Sequence, residues 1–121
     1  MKSKIKDNSN VSKGEVYWFD PLKETKVGVS PLVVILSGEM HNKFSSYVIF
    51  CLAGTKSTET VREFFEVACE VEGKKIKVMI SAIHMFNKEI FLKEAKYLGE
   101  LRQERIKEIN EKIKLILELD N

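Results

Sequence analysis

Two short segments of the sequence carry side chains suited to acid–base or phosphate chemistry. His84 follows an alternating, strand-like segment, where an imidazole could act as a general acid or base near neutral pH. The same position is equally consistent with a strand-end histidine that faces solvent or packs on Phe86. Thr55 and Lys56 begin a polar run, residues 55–58, that could bind phosphate oxygens and would also suit an ordinary turn.

Basic and aromatic side chains suggest a polyanionic ligand. Four lysines from separate predicted loops could converge on phosphates: Lys23, Lys26, Lys43 and Lys56. Tyr17 and Trp18 offer a face on which a base could stack. Strand alternation turns one of these two rings inward, and we expect Trp18 to be the core residue. The net charge of +2 permits a polyanionic partner without requiring one.

Composition predicts one soluble domain. The 121 residues are 44% hydrophobic and 31% charged, which is typical of a globular protein with a single core. Residues 1–12 lack an apolar signal-peptide core and are predicted to be a flexible basic tail before a domain at 13–121. The longest apolar run, 32–36, is too short to span a bilayer. We therefore expect a cytoplasmic protein without membrane contact.

The two cysteines do not form a recognisable site. Cys51 and Cys69 lack the C-x-x-C spacing of metal motifs and lie in apolar segments. We expect both to be buried, reduced thiols. Nothing in the sequence indicates a metal or another cofactor.

Hydrophobic periodicity predicts the elements that must position these residues. Strands are expected at 16–19, 31–36, 47–53, 62–71 and 75–83, with a loop at 21–30, a polar connector at 39–45 that could form one helical turn, and a hairpin turn at 72–74. Asn87 is a candidate N-cap for a short helix that ends near residue 95, and Gly99 is expected to interrupt the chain before the last helix.

The last helix, 101–119, is strongly amphipathic. Its apolar stripe comprises Ile106, Ile109, Ile113, Ile116 and Leu117. Leu115 and Leu119 fall on another side, which suggests a second contact surface; a homodimer and packing against the chain's own sheet both explain it. The order of elements predicts an α+β fold in which helices cap a small, strongly curved sheet.

Several segments resemble a known family: Lys13-Gly14-Glu15-Val16-Tyr17-Trp18-Phe19, Gly28-Val29-Ser30-Pro31-Leu32-Val33 and His41-Asn42-Lys43-Phe44-Ser45. In this order they resemble the MazF/PemK family of toxin endoribonucleases, which reads Gly-Asp before a strand, then a loop, Arg-Pro and an apolar strand. Segments 47–55, 83–88 and 97–99 are also similar to the family. The resemblance implies an SH3-like β-barrel with a short helix and a long C-terminal amphipathic helix, normally a homodimer.

The family's activity is implied with departures. Its members cleave single-stranded RNA without a metal, using the ribose 2′-hydroxyl as nucleophile. The family's arginine before proline, which serves the phosphate, corresponds to Ser30, and its strand-end threonine to Gly54, with Thr55 directly after it. The positions of its glutamine and a basic residue correspond to Ala82 and His84. The first loop, which in the family covers the RNA site and meets the antitoxin, is also shorter.

The resemblance implies a toxin of a toxin–antitoxin module whose partner is a small acidic antitoxin. Ser30, Thr55 and His84 are the candidate catalytic positions, with His84 as acid or base and Thr55 as phosphate donor. Lys26 or Lys56 would replace the missing arginine charge. A non-catalytic module that binds RNA or protein on the same fold is the alternative. A gyrase-directed toxin of the CcdB kind fits less well, because the chain ends without Trp-Gly-Ile.

Overall fold

The computed structural model describes residues 10–21, 31–56, 58–62 and 65–119. Its elements, in chain order, are β1 Glu15–Trp18, β2 Leu32–Ile35, α1 Glu39–Phe44, β3 Tyr47–Gly54, β4 Glu66–Val71, β5 Lys74–Asn87, α2 Lys88–Glu94, β6 Lys96–Glu100 and α3 Gln103–Leu117. The strands form one antiparallel sheet in the order β4-β5-β3-β2-β1-β6. No helix in these ranges is long and apolar enough to cross a membrane.

The sheet curls until its two edge strands meet. A Cβ atom at Gly99 in β6 would lie 2.8 Å from Val71 Cγ1 and 2.9 Å from Glu72 Cγ at the end of β4. Only a residue without a side chain permits this close approach. The result is a half-barrel with helices against it, which confirms the predicted α+β fold with a small SH3-like barrel and a long C-terminal helix.

Both faces of the sheet are buried. One face forms what we call the helix-side core, in which Ile109 of α3 packs with residues such as Val34, Cys51 and Ile80. The other forms an aromatic core, closed by Phe91 of α2, with these members: Val11, Tyr17, Phe19, Val33, Ile35, Val48 and Phe50. Burial on both faces explains why β2 is a continuous apolar run rather than an alternating one.

The expectation that Trp18, rather than Tyr17, is the core residue is wrong. Tyr17 is only 4% exposed and lies in the aromatic core, where its hydroxyl donates to Glu15 Oε1 at 2.9 Å. Trp18 is half-buried beside the helix-side core, and Lys74 Nζ lies 5.6 Å from its ring centroid. Since both faces carry a core, strand alternation does not leave either ring fully in solvent.

The locally determined features agree with the sequence. The hairpin between β4 and β5 turns at Glu72 and Gly73, which have φ values of 49° and 76°. Two consecutive positive φ values are typical of the tight turn that joins twisted strands. Asn87 caps α2, its side chain accepting a hydrogen bond from the Ile90 backbone amide at 2.9 Å.

Other element boundaries differ from the prediction. β5 does not end at residue 83 but continues to Asn87, and the strand predicted from residue 62 begins at Glu66. Gly99 does not interrupt the chain but lies within β6. In α3, Leu117 does not belong to the buried stripe, because it is exposed, as are Leu115 and Leu119. The stripe therefore ends at Ile116, which packs against the helix-side core.

The described part of the predicted tail, 10–12, is attached to the domain. Val11 is buried in the aromatic core, and Asn10 Nδ2 donates to the Asn42 carbonyl at 2.8 Å. Asn42, itself buried, donates from Nδ2 to the carbonyls of Ser37 at 2.8 Å and Val11 at 3.3 Å. Packed structure thus begins before residue 13.

Both cysteines are buried free thiols, as expected. Burial raises the pKa of Cys51 to about 12 and that of Cys69 to about 11, so neither is a thiolate near neutral pH. They lie on β3 and β4, which are separated by β5. Two strand spacings place their backbones about 10 Å apart, beyond the reach of a disulfide.

Candidate functional site

Thr55 and Lys56 lie at one end of the half-barrel. Both are exposed and directly follow Gly54, the last residue of β3. β2 begins beside this point, since Leu32 pairs with Ala53. The end of β3 and the beginning of β2 therefore form one edge, at which Thr55 Oγ1 and Lys56 Nζ can reach a ligand.

Ser30, Lys23 and Lys26 lie outside the described residues, but both ends of their segment are placed. The Phe19 backbone amide donates to the Pro31 carbonyl at 3.3 Å, which joins the chain before the segment to the chain after it. Phe19 and Pro31 therefore lie at the same edge of the sheet as Thr55. This placement agrees with the order of residues on which the family resemblance rests.

His84 does not lie near Thr55. It pairs with Phe50 across β3 and β5, and its ring stacks on that of Phe50 with centroids 6.1 Å apart and planes 25° apart. Five residue steps along β3 separate Phe50 from Thr55, which is about 16 Å. The imidazole is thus half-buried and faces the aromatic core. It does not lie at the end of a strand.

The described lysines do not form one groove. Lys43 lies in the last turn of α1, beside the start of β3, whereas Lys56 follows the end of β3. The eight residues of β3 separate the two by about 25 Å. Lys43 Nζ lies 5.5 Å from the Phe44 ring centroid instead.

Sequence reasoning missed an open groove of about 420 Å³ beside β5, lined by Arg62, Phe65, Glu66, Met79, Ser81 and Ala82. The groove was missed because the predicted strand began at residue 62. Arg62 and Phe65 would then have been paired in the sheet instead of lining a groove. The available signal was the break in alternation after Ile80. There the register with β3 shifts, since Leu52 pairs with Met79 and Cys51 with Ile83.

A larger cavity of about 620 Å³ lies between the β4–β5 hairpin and the start of α3. Its lining mixes acids such as Glu70 and Glu100 with Arg102 and Arg105. Arg105 is engaged by Glu108, with Nη1 2.6 Å from Oε1. The acidic side chains of this lining outnumber the basic ones, which makes the cavity less suited to a polyanion than the groove beside β5.

Comparison with known proteins agrees with this fold. A model of the family of PemK-like, MazF-like toxins of type II toxin–antitoxin systems matches residues 12–117. No curated protein matches the sequence. A crystal structure of MazF from Deinococcus radiodurans superposes with a TM-score of 0.70 at 16% identity, covering 89% of this chain and 96% of that one.

Two MazE–MazF crystal structures from the same organism are similarly close. Form II has a TM-score of 0.66 at 16% identity over 89% of this chain and 95% of that one. Form III has a TM-score of 0.69 at 15% identity over 92% of this chain and 99% of that one. Identities this low support the fold alone, whereas the family model spans nearly the whole chain. The chain belongs to the PemK-like, MazF-like toxin family of type II toxin–antitoxin systems.

Proposed function

We propose that this toxin binds single-stranded RNA and cleaves it slowly, with Thr55 and Lys56 contacting the phosphate at the bond that breaks. The observation that carries the proposal is the exposure of both side chains at the edge where the segment containing Ser30, Lys23 and Lys26 attaches. We propose that the protein acts in the cytoplasm, where it would meet single-stranded RNA.

Cleavage through the ribose 2′-hydroxyl needs a proton acceptor, a donor for the leaving oxygen and positive charge around the phosphorane. In the proposed step the 2′-oxygen bonds to phosphorus and the P–O5′ bond breaks. Water accepts the 2′-hydroxyl proton and water protonates the leaving O5′, while Thr55 donates one hydrogen bond to a phosphate oxygen and Lys56 supplies charge. Lys56 does not replace a guanidinium, because an ammonium group cannot form two parallel hydrogen bonds. We therefore expect a cleavage rate about 10²- to 10³-fold lower than that of a site with the arginine.

Cleavage of a mixed-sequence RNA by the wild type, Thr55→Ala and His84→Ala tests the site. We expect Thr55→Ala to lower the initial rate about 10- to 100-fold, because a donor to the developing charge is lost. His84→Ala should change the rate less than about 3-fold, since the imidazole lies about 16 Å from Thr55 along the sheet. Equal losses in both variants would contradict this assignment and return the acid–base role to His84.

A non-catalytic RNA-binding module is the second candidate. It is favoured by Ser30, Gly54 and Ala82, which stand where the family has functional side chains. A wild type that binds 2′-O-methyl RNA, in which the nucleophile is blocked, but never cleaves unmodified RNA would establish this second function instead.

We propose a homodimer formed through an open apolar surface, which comprises Met40, Phe44, Tyr47, Ile83 and Met85. Ile83 pairs with Cys51 and Met85 with Ile49, so this surface continues the sheet face that α3 covers elsewhere. A contiguous apolar area beside a core is typical of an interface. In a dimer with a twofold axis, this surface of one copy would face the same surface of the other.

Sedimentation equilibrium of Met85→Glu and Leu115→Glu tests which surface is used. Met85 is 64% exposed, and a carboxylate there would be buried between two copies. We expect Met85→Glu to raise the dimer dissociation constant about 100-fold, or about 2.7 kcal/mol. Leu115→Glu, at the end of α3, is the matched control and should leave the dimer intact. The opposite pattern would assign the interface to α3.

We further propose that an acidic antitoxin binds this toxin, as the MazE–MazF complexes of the relatives suggest. An initially disordered acidic segment can cover an extended basic edge when it folds on binding. At the edge after β3, Lys56 would supply a cation and Thr55 a hydrogen-bond donor to such a segment. The bound antitoxin segment would at the same time block access of RNA to this edge.

A further inference from the structure

The groove beside β5 combines an exposed ring with an exposed cation. Phe65 is 48% exposed, so its ring is accessible to a ligand. Arg62 is exposed and makes no ion pair with an acid among the described residues. The volume of about 420 Å³ is within the range of small-ligand sites.

The backbone holds both residues in place. The amides of Phe65 and Glu66 donate to the Arg62 carbonyl at 3.0 and 2.9 Å. The Phe65 carbonyl in turn accepts from the Ile80 amide at 2.9 Å, which fixes it to β5. The ring is therefore exposed on an ordered support, so little conformational entropy is lost when a ligand stacks on it.

The negative charge in the groove is already compensated. The Arg62 backbone amide donates to Glu66 Oε1 at 2.9 Å, and Lys77 Nζ lies 3.6 Å from the same oxygen. The hydrogen bond from Arg62, aided by the Lys77 charge, holds the pKa of Glu66 below its usual value. The Arg62 charge contributes to the same lowering of the pKa, so Glu66 interacts with both cations, and these three side chains together carry one net positive charge.

The opposite wall of the groove is an irregularity in β5. Residues 80–82 have no partner on β3, and the β4 ladder ends at Met79. The backbone of Ser81 and Ala82 therefore lies outside both ladders. Irregularities of this kind are common beside binding sites, where they re-aim a side chain or end the pairing of strands.

We propose that this groove binds one nucleotide of single-stranded RNA, its base stacked on Phe65 and its phosphate held by Arg62 and Ser81. The proposal rests on the proposed RNA-binding function and adds a subsite away from Thr55. An exposed ring beside a cation is the combination that binds unpaired nucleotides without reading their sequence. A peptide fits this groove less well, because the groove is shallow and has only one ring, one cation and little apolar area for a peptide to bury.

Fluorescence anisotropy with a 5′-labelled, mixed-sequence 2′-O-methyl oligoribonucleotide tests the subsite. We expect Phe65→Ala to weaken binding about 5- to 100-fold at constant salt dependence. Arg62→Gln should weaken binding and reduce the slope of log affinity against log salt by about 0.7, as one phosphate contact is lost. Phe65→Trp, which keeps a stacking face, should bind as tightly as the wild type.

Arg102→Gln, which removes an exposed cation from the other cavity, is the matched control and should change neither affinity nor slope. Wild-type RNA binding that all groove variants retain overturns the subsite and leaves the proposed function standing. No RNA binding by the wild type overturns both. Unchanged RNA affinity with weaker binding to the protein encoded by the adjoining gene assigns the groove to a protein partner and also overturns the proposal.

Discussion

Replacement of Phe91 by alanine is expected to lower the free energy of unfolding by about 3–5 kcal/mol. Phe91 is fully buried, and its ring centroid lies 4.8 Å from that of Phe19, 5.0 Å from Tyr17 and 5.7 Å from Phe50. These edge-on and tilted contacts add to the burial of the ring itself. The substitution opens a cavity bounded by β1, β3 and α2, which strand residues cannot fill without moving the sheet.

Denaturant unfolding of Phe91→Ala and Ile90→Ala measures this effect. Ile90 is the adjacent residue of α2 and is exposed, so its substitution should cost less than about 1 kcal/mol. A similarly small loss for Phe91→Ala would contradict the role of the aromatic core in stability. A loss confined to α2, with the sheet intact by hydrogen exchange, would show instead that α2 unfolds locally.

Features that depend on neighbouring residues could be predicted from the sequence. Glu72-Gly73 supplies the two positive φ values of a hairpin turn, and Asn87 supplies a carboxamide oxygen three residues before the Ile90 amide. Each of these arrangements is determined within a few residues. Gly99 is the counterexample, because its role is a contact between β6 and the remote hairpin, so the sequence suggested a break instead.

The aromatic core shows why burial was harder to predict. A prediction from strand alternation assumes that one face of the sheet is exposed to solvent. On that assumption, either Tyr17 or Trp18 had to be exposed. The second face is dry because α2 returns across the sheet and places Phe91 on it. The path of a short helix after a long strand is a tertiary property that periodicity does not contain.

For the candidate site, the family resemblance selected Thr55 and His84 but could not give the distance between them. The distance between His84 and Thr55 follows from the pairing of Phe50 with His84, a register that includes an irregularity at residues 80–82. That irregularity also creates the groove at Arg62. Registers across an interrupted ladder depend on the packing of the whole sheet, and no local pattern in the sequence specifies them.

Ser30→Arg is expected to raise the rate of RNA cleavage about 10²- to 10³-fold. Ser30 precedes Pro31, as the family's arginine does, and Pro31 lies at the edge of the sheet that carries Thr55. A guanidinium there would offer two parallel hydrogen bonds to the phosphorane oxygens in addition to its charge. Initial rates on a mixed-sequence RNA, with growth after induced expression, measure the gain.

Ser30→Lys is the matched control, because it restores the charge without the planar pair of donors. We expect it to recover about a tenth or less of the arginine effect, since a bidentate contact is lost. Equal gains would mean that charge alone was missing and that Lys56 already comes close to supplying it. No gain in either variant would mean that the loss of the arginine was accompanied by loss of the proton-transfer groups, so the chain is a binding module. A gain that Thr55→Ala abolishes would show that the threonine and the restored guanidinium act on one phosphate.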